Sequence, residues 1–284
     1  MKREHYKHLF LLTLATVFIS TSGALGKYID MPPPVVIWWR CALAGLFLLL
    51  YCRFQKIKLR LISKNDRASF LIAALLMGGH WITYFFALKL SNVAIGMLSL
   101  FTFPVITAIL EPLFFRTKFD VIHIFLGAMV LLGVYILAPD FNIENSQLQG
   151  VLLGILSAIL YATRNLMLKQ KASSYHGSVL MFYQVAILSV LLLPTLFLFD
   201  TTGIISEYPF VILLALLTTA IGHTMFVNSF KHFKVSTASI IGSSQPVFGI
   251  VIAFLFLNEV PNWNIIFGGS LIVFTVIIES VRSK

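Results

Sequence analysis

Runs of about twenty apolar residues follow one another along the whole chain, and each is long enough to cross the hydrocarbon core of a bilayer as a helix. Ten such runs fall at roughly 8–29, 34–54, 68–90, 93–115, 119–138, 148–169, 177–199, 208–230, 235–257 and 263–281. The 284 residues leave only short segments between them, too short for a soluble domain. Inside lipid every backbone N–H and C=O needs an internal partner, and the alternating pattern of a β-barrel is absent, so each run reads as a helix. Composition agrees: 58% of residues are hydrophobic and 11% charged. A soluble domain carries about a quarter charged residues and could not cover itself with this few. The expected fold is an all-α polytopic membrane protein with ten transmembrane helices.

Charge placement gives the orientation. A net charge of +10 in a soluble chain would point to nucleic acid, but here the basic residues alternate by side. With the N-terminus placed in the cytoplasm, 17 of the 21 Lys and Arg fall in cytoplasmic segments, and Lys27 and Lys89 are the external ones. Arg40 and Arg164 lie within spans. This asymmetry is the positive-inside pattern, and it places both N and C termini in the cytoplasm. The first apolar run is too long for a cleaved signal and reads as a retained helix. Cys41 and Cys52 sit eleven residues apart on one predicted helix, out of reach of each other, so no disulfide is expected.

Shifting the sequence by 142 residues gives a weak, ungapped self-match. Lys27 falls on Lys169, Leu88-Lys89 on Phe230-Lys231, Val93 on Val235, Pro104-Val105 on Pro246-Val247, and Leu113-Phe114 on Leu255-Phe256. The reading is two five-helix repeats, residues 1–142 and 143–284. Five is odd, so the second repeat enters the membrane inverted with respect to the first. Inverted repeats are the architecture of secondary transporters, with solute held near the midplane between the halves.

Ten helices, the five-plus-five repeat and the spacing from Pro246 to Glu259 in QPVFGIVIAFLFLNE together resemble the EamA-type branch of the drug/metabolite transporter superfamily. The resemblance covers nearly the whole chain and implies transport of a small metabolite such as an amino acid or a nucleobase, often outward. The first half departs from the pattern, with Thr117 where the second half has Glu259 and an acid six residues earlier, at Glu111. The small four-helix multidrug relatives carry an acid in their first helix. Helices 1 and 6 here contain none, which argues against a proton-driven multidrug mechanism.

Candidate site residues are those that are costly to keep in lipid. Pro104 and Pro246 interrupt helices 4 and 9 at equivalent places and free the carbonyls four residues back, with Ser243 and Ser244 beside the second. Arg40 and Arg164 each cost about 2.5–3.5 kcal/mol at the membrane centre. Both depths allow snorkelling toward an interface, yet Arg164 shares a polar stripe with Tyr161 and Asn165 that points to protein or water. Glu111 lies at a similar depth and is expected to neutralise Arg164, as a structural ion pair or gate in preference to a proton-coupling pair. His80 and His223, at nearly matching positions in helices 3 and 8, are coupling or cavity candidates, and neither has a second metal ligand one turn away. Trp81, Tyr84 and Tyr161 are read as an aromatic wall, and Trp38, Trp39 and Trp263 as interfacial anchors.

These features favour a secondary transporter of a small organic solute, an exporter, exchanger or facilitator working by alternating access. An intramembrane enzyme or a receptor subunit is the alternative. The chain has no HExxH, GxGD or GxSG motif and no phosphate-binding loop, so no enzyme activity, metal or cofactor is expected. The expected partners are a small-molecule solute and membrane lipids, with no nucleic acid, in a monomer or homodimer of the cell (inner or plasma) membrane. Energy would come from the solute's own gradient or from coupled ions. Two arginines among many aromatics point to a solute with an anionic group and an apolar body.

Overall fold

A computed structural model of the chain describes residues 2–63, 66–116, 122–137, 144–242 and 244–282. Among them every regular element is a helix. In chain order these are α1 (Lys2–Tyr28), α2 (Pro33–Phe54), α3 (Asp66–Leu90), α4 (Val93–Leu100), α5 (Phe103–Phe115), α6 (Ile122–Leu137) and α7 (Ser146–Ala172). Then come α8 (Gly177–Leu191), α9 (Thr195–Leu198), α10 (Ile204–Leu213), a π-helical segment (Leu214–His223), α11 (Thr224–Ser229), α12 (Val235–Gly242), α13 (Gln245–Leu257) and α14 (Trp263–Arg282). Among the described residues seven helices are long and apolar enough to span a membrane, counting α4 with α5, α8 with α9, and α10 through α11 as one each. The apolar side chains that remain exposed, such as Leu46, Phe254 and Phe256, form the surface that lipid solvates. Among the described residues, helices without strands and with an apolar exterior make this a multi-pass membrane protein.

The helices of the two halves interleave. α3 packs along α7, while α1 packs along the π-helical segment and α11. α2 lies against α8, and α6 against α14. Each half therefore buries its apolar faces largely against the other, and neither has a self-contained core.

Bond for bond, residues 142 apart behave alike. Lys27 Nζ donates to the carbonyls of Leu88 (2.9 Å) and Ser91 (2.7 Å), at the C-terminal end of α3. Lys169 Nζ donates to the carbonyls of Phe230 (2.6 Å) and Phe233 (2.9 Å), just beyond α11. In both places an ammonium satisfies the carbonyls a helix end leaves free and sits at the negative end of the helix dipole. Thr102 and Ser244 share one backbone conformation, φ −72° and ψ −15°. Their hydroxyls donate three residues back, to Ser99 and Ile241. Each opens a thirteen-residue helix, α5 or α13. Each of those helices ends on a left-handed residue, Arg116 (φ 53°) or Asn258 (φ 55°).

Helices 4 and 9 are interrupted where the sequence places the prolines, α4 ending at Leu100 and α12 at Gly242. Pro104 and Pro246 do not kink continuous helices; they stand in the first turn of α5 and α13. There proline's fixed φ suits the helix and its missing N–H is not needed. What separates α4 from α5 is the two-residue turn Phe101-Thr102. Glu259 also acquires a role: its Oε2 accepts from Val93 N (2.8 Å) at the N-terminus of α4, while Asn92 Oδ1 accepts from Ile95 N (2.8 Å). The acid that closes the Pro246–Glu259 spacing is thus a helix cap contributed from a distant loop.

Candidate functional site

α2 starts at Pro33-Pro34, which fix its direction, and two turns on it places Arg40 inside the bundle with no solvent exposure. Nε donates to Thr219 Oγ1 (2.6 Å) and Nη2 to Thr218 Oγ1 (2.9 Å). Nη1 reaches only Ser22 Oγ, at 3.5 Å. The guanidinium lies 4.0 Å from the Trp81 ring centroid, a cation–π contact. Thr218, Thr219 and His223 all belong to the π-helical segment, a geometry that recurs at functional sites.

Beside Arg40 lies a contracted cavity of about 20 Å³, enough for a single water. It is walled by Ile19 and Ser22 of α1, His80, Trp81 and Tyr84 of α3, Leu100, Phe101 and Phe103 around the α4–α5 turn, Tyr161 of α7 and His223. The rings interlock: His80 stacks on Tyr161 at 4.4 Å between centroids, and Trp81 meets His223 edge-on at 5.6 Å. His80 Nδ1 shares a hydrogen bond with Ser157 Oγ (2.7 Å). Trp81 Nε1 and His223 Nδ1 are buried without a hydrogen-bond partner. Buried polar groups are nearly always satisfied, so these two on one cavity wall are left for a water or a ligand to partner.

Arg164, on α7, is also fully buried. Its Nε donates to Gln184 Oε1 (2.8 Å), Nη1 to Asn165 Oδ1 (2.9 Å) and Nη2 contacts Met181 Sδ (2.9 Å). Neither arginine snorkels, and among the described residues neither has a carboxylate partner.

The predicted residues thus divide. Arg40, His80, Trp81, Tyr84, Tyr161 and His223, drawn from four separate helical stretches, meet at one cavity or its edge. Arg164 and Asn165 form a polar cluster with Gln184 behind Tyr161, outside the lining. Pro104 is buried beside the lining residue Phe103 but is not itself part of the wall. Ser244 bonds to Ile241 and approaches Thr16, away from the cavity. Pro246 borders a separate apolar cleft of about 420 Å³ between α13 and α14. Many of that cleft's walls, such as Val251 and Phe274, are exposed on the lipid-facing surface, so it reads as a groove for acyl chains rather than a solute site. Ser243 and Thr117 lie outside the described residues.

The expected Glu111–Arg164 pair is not formed. Arg164 turns toward α8, and Glu111 lies partly exposed on α5. Matching depth along the sequence fixes height in the membrane but not direction around the helix. The anchors divide as well: Trp263 is exposed, whereas Trp38 ties α2 to α8 through Ser189 O (2.8 Å).

Ser22, Thr218, Phe101, Phe103 and Gln184 are members of these clusters that the sequence did not single out, while in the sequence Thr219 stands out only as the residue one turn before His223. Adjacent hydroxyls in an apolar run, Thr218-Thr219, were the available signal for one pair of them.

Comparison with known proteins adds four findings. The profile of the EamA-like transporter family matches twice, over residues 7–138 and 148–281. The pseudopaline exporter of Pseudomonas aeruginosa is 22% identical over 279 residues, covering 97% of this chain and 96% of its own. The S-adenosylmethionine uptake transporter of Rickettsia felis is 28% identical over 124 residues, 42% of each chain. A solved crystal structure superposes with a TM-score of 0.73 at 17% identity, over 98% of this chain and 97% of that one, and so shares the fold.

Proposed function

Because the chain belongs to the EamA-like transporter family and is a transporter rather than an enzyme, we propose that it moves a small organic solute through the Arg40–His80–Trp81–Tyr161–His223 cavity by alternating access. The observation that carries this reading is the convergence of buried polar and aromatic side chains, two of them unsatisfied, on one contracted space between the halves. We read the chain as two inverted five-helix repeats, residues 1–142 and 143–284, making ten crossings with both termini in the cytoplasm. The matched lysine caps and helix breaks support the repeat, and the distribution of Lys and Arg supports the orientation. Two such halves can exchange inward- and outward-open shapes of similar energy around a fixed site.

The contracted cavity corresponds to a closed form, too small for an organic solute until helices separate. With no nucleotide-binding loop, the work comes from the solute's own gradient or from a coupled ion, in a cell membrane and as a monomer or homodimer. The solute class is an amino acid or a comparable metabolite. One relative is named as an exporter, and we favour export here.

Purified protein in liposomes tests the reading. Saturable, solute-dependent flux is expected for at least one member of a broad metabolite panel, and Tyr161→Ala, which removes one wall of the cavity, should change KM. Absence of flux across the panel would sink the proposal.

A further inference from the structure

The two buried arginines differ in what they are free to do. All three guanidinium nitrogens of Arg164 have partners within 2.9 Å, none of which lines the cavity. Arg40 is held on one edge by Thr218 and Thr219, while its Nη1 has only the 3.5 Å contact to Ser22, itself a cavity-lining residue. Trp81 Nε1, a donor only, and His223 Nδ1 are unpartnered on the same wall. The Trp81 ring centroid is 4.0 Å from the Arg40 guanidinium carbon and 5.6 Å from the His223 ring centroid.

We propose that Arg40 Nη1, Trp81 Nε1 and His223 Nδ1 form a three-point receptor for the carboxylate of an organic anion whose flat or branched apolar body lies against Tyr161, Phe101 and Phe103. The inference rests on the transport reading above and names its substrate class. A planar carboxylate has two oxygens and about four lone-pair directions, which can accept from Arg40 Nη1, from Trp81 Nε1 and, in its Nδ1–H tautomer, from His223 Nδ1. It also supplies the negative charge that Arg40 lacks. An ammonium would face a fixed cation, and a neutral amide would leave that cation uncompensated. A solute that brings its own counter-charge removes both the desolvation cost and the orphaned donors. Arg164 plays no part in contact; it holds α7 to α8.

The test uses the full chain, purified in detergent and in liposomes, with three matched series of probes. Benzyl, indolyl and short alkyl bodies each carry a carboxylate, a phosphate monoester, a primary amide or an ammonium group. In at least one series the carboxylate should raise the melting temperature and bind measurably by calorimetry, and the other head groups should not. Arg40→Gln should weaken carboxylate binding by about tenfold or more, as loss of a charge-assisted pair requires. Should Arg40→Gln fail to fold, Arg40→Lys keeps the charge without the fork, and about a tenfold loss is again expected. Amides, amines or phosphates binding as well as carboxylates, no carboxylate binding in any series, or an unchanged affinity in the Arg40 variants would each overturn the proposal. Wild-type flux of neutral or cationic metabolites in those cases would leave the transport reading standing. Absence of all flux would remove that reading separately.

Discussion

Arg40 is a charge that the fold could do without. Its partners are neutral hydroxyls, and Thr218 Oγ1 already donates to Leu214 O within its own helical segment (2.6 Å). Replacing an uncompensated buried charge with an apolar side chain of similar volume is often neutral or stabilising. Arg40→Met should therefore melt within about 3 °C of the wild type, or above it, while losing solute flux. A large drop in melting temperature would instead assign Arg40 to structure. A different sensitivity sits at the end predicted to be cytoplasmic, where His8 and His232 stack at 3.5 Å between ring centroids. Partial burial, then His8 and Lys231, push the His232 pKa below its usual value, with Glu4 acting weakly the other way and Lys169 adding to the repulsion. A lowered histidine pKa means the unfolded chain takes the proton more readily. Stability from this site is thus present above about pH 6.5 and declines as pH falls below it. Melting curves between pH 7.5 and 5.5 should show a drop that is smaller in His232→Gln; equal drops would contradict the assignment.

Among the helices, the matched capping lysines make a paired prediction. Each ammonium satisfies carbonyls at a helix end, so Lys27→Met and Lys169→Met should cost similar amounts, about 1.5–3 kcal/mol each. Unequal costs would mean that the two caps are not equivalent. Glu259→Ala removes the acceptor for Val93 N at the start of α4 and should cost about 1 kcal/mol, with Glu259→Gln costing less. Much of this was legible in the chain. The apolar runs locate the helices, and the same shift that aligns Lys27 with Lys169 aligns their hydrogen bonds. Other features were not legible, for definite reasons. Proline's chemistry is compatible with a kink or with a helix start, and only the turn at Phe101-Thr102 decides. The π-helical segment carries an ordinary apolar sequence, so no periodicity announces it. Side-chain direction around α7, which sends Arg164 to Gln184 rather than Glu111, depends on neighbours that are remote in sequence.

Across the full bundle, the cross-packing of α3 on α7 and of α1 on the π-helical segment ties the two halves together at the cavity. The residues of the wall come from both: Trp81, Tyr84 and Phe103 from the first, Tyr161 and His223 from the second. Any rearrangement of one half against the other must open or close this space, which is what alternating access needs. Expression of either half alone should give no folded product, because each exposes the face it buries against its partner; a stable, monodisperse half would contradict this. The most direct measurement is counterflow in liposomes holding the purified chain, preloaded with unlabelled solute and given a labelled trace outside. The account predicts transient accumulation of label that saturates with concentration and is lost in Arg40→Met. Flux that rises linearly without counterflow, or counterflow unchanged in that variant, would contradict it.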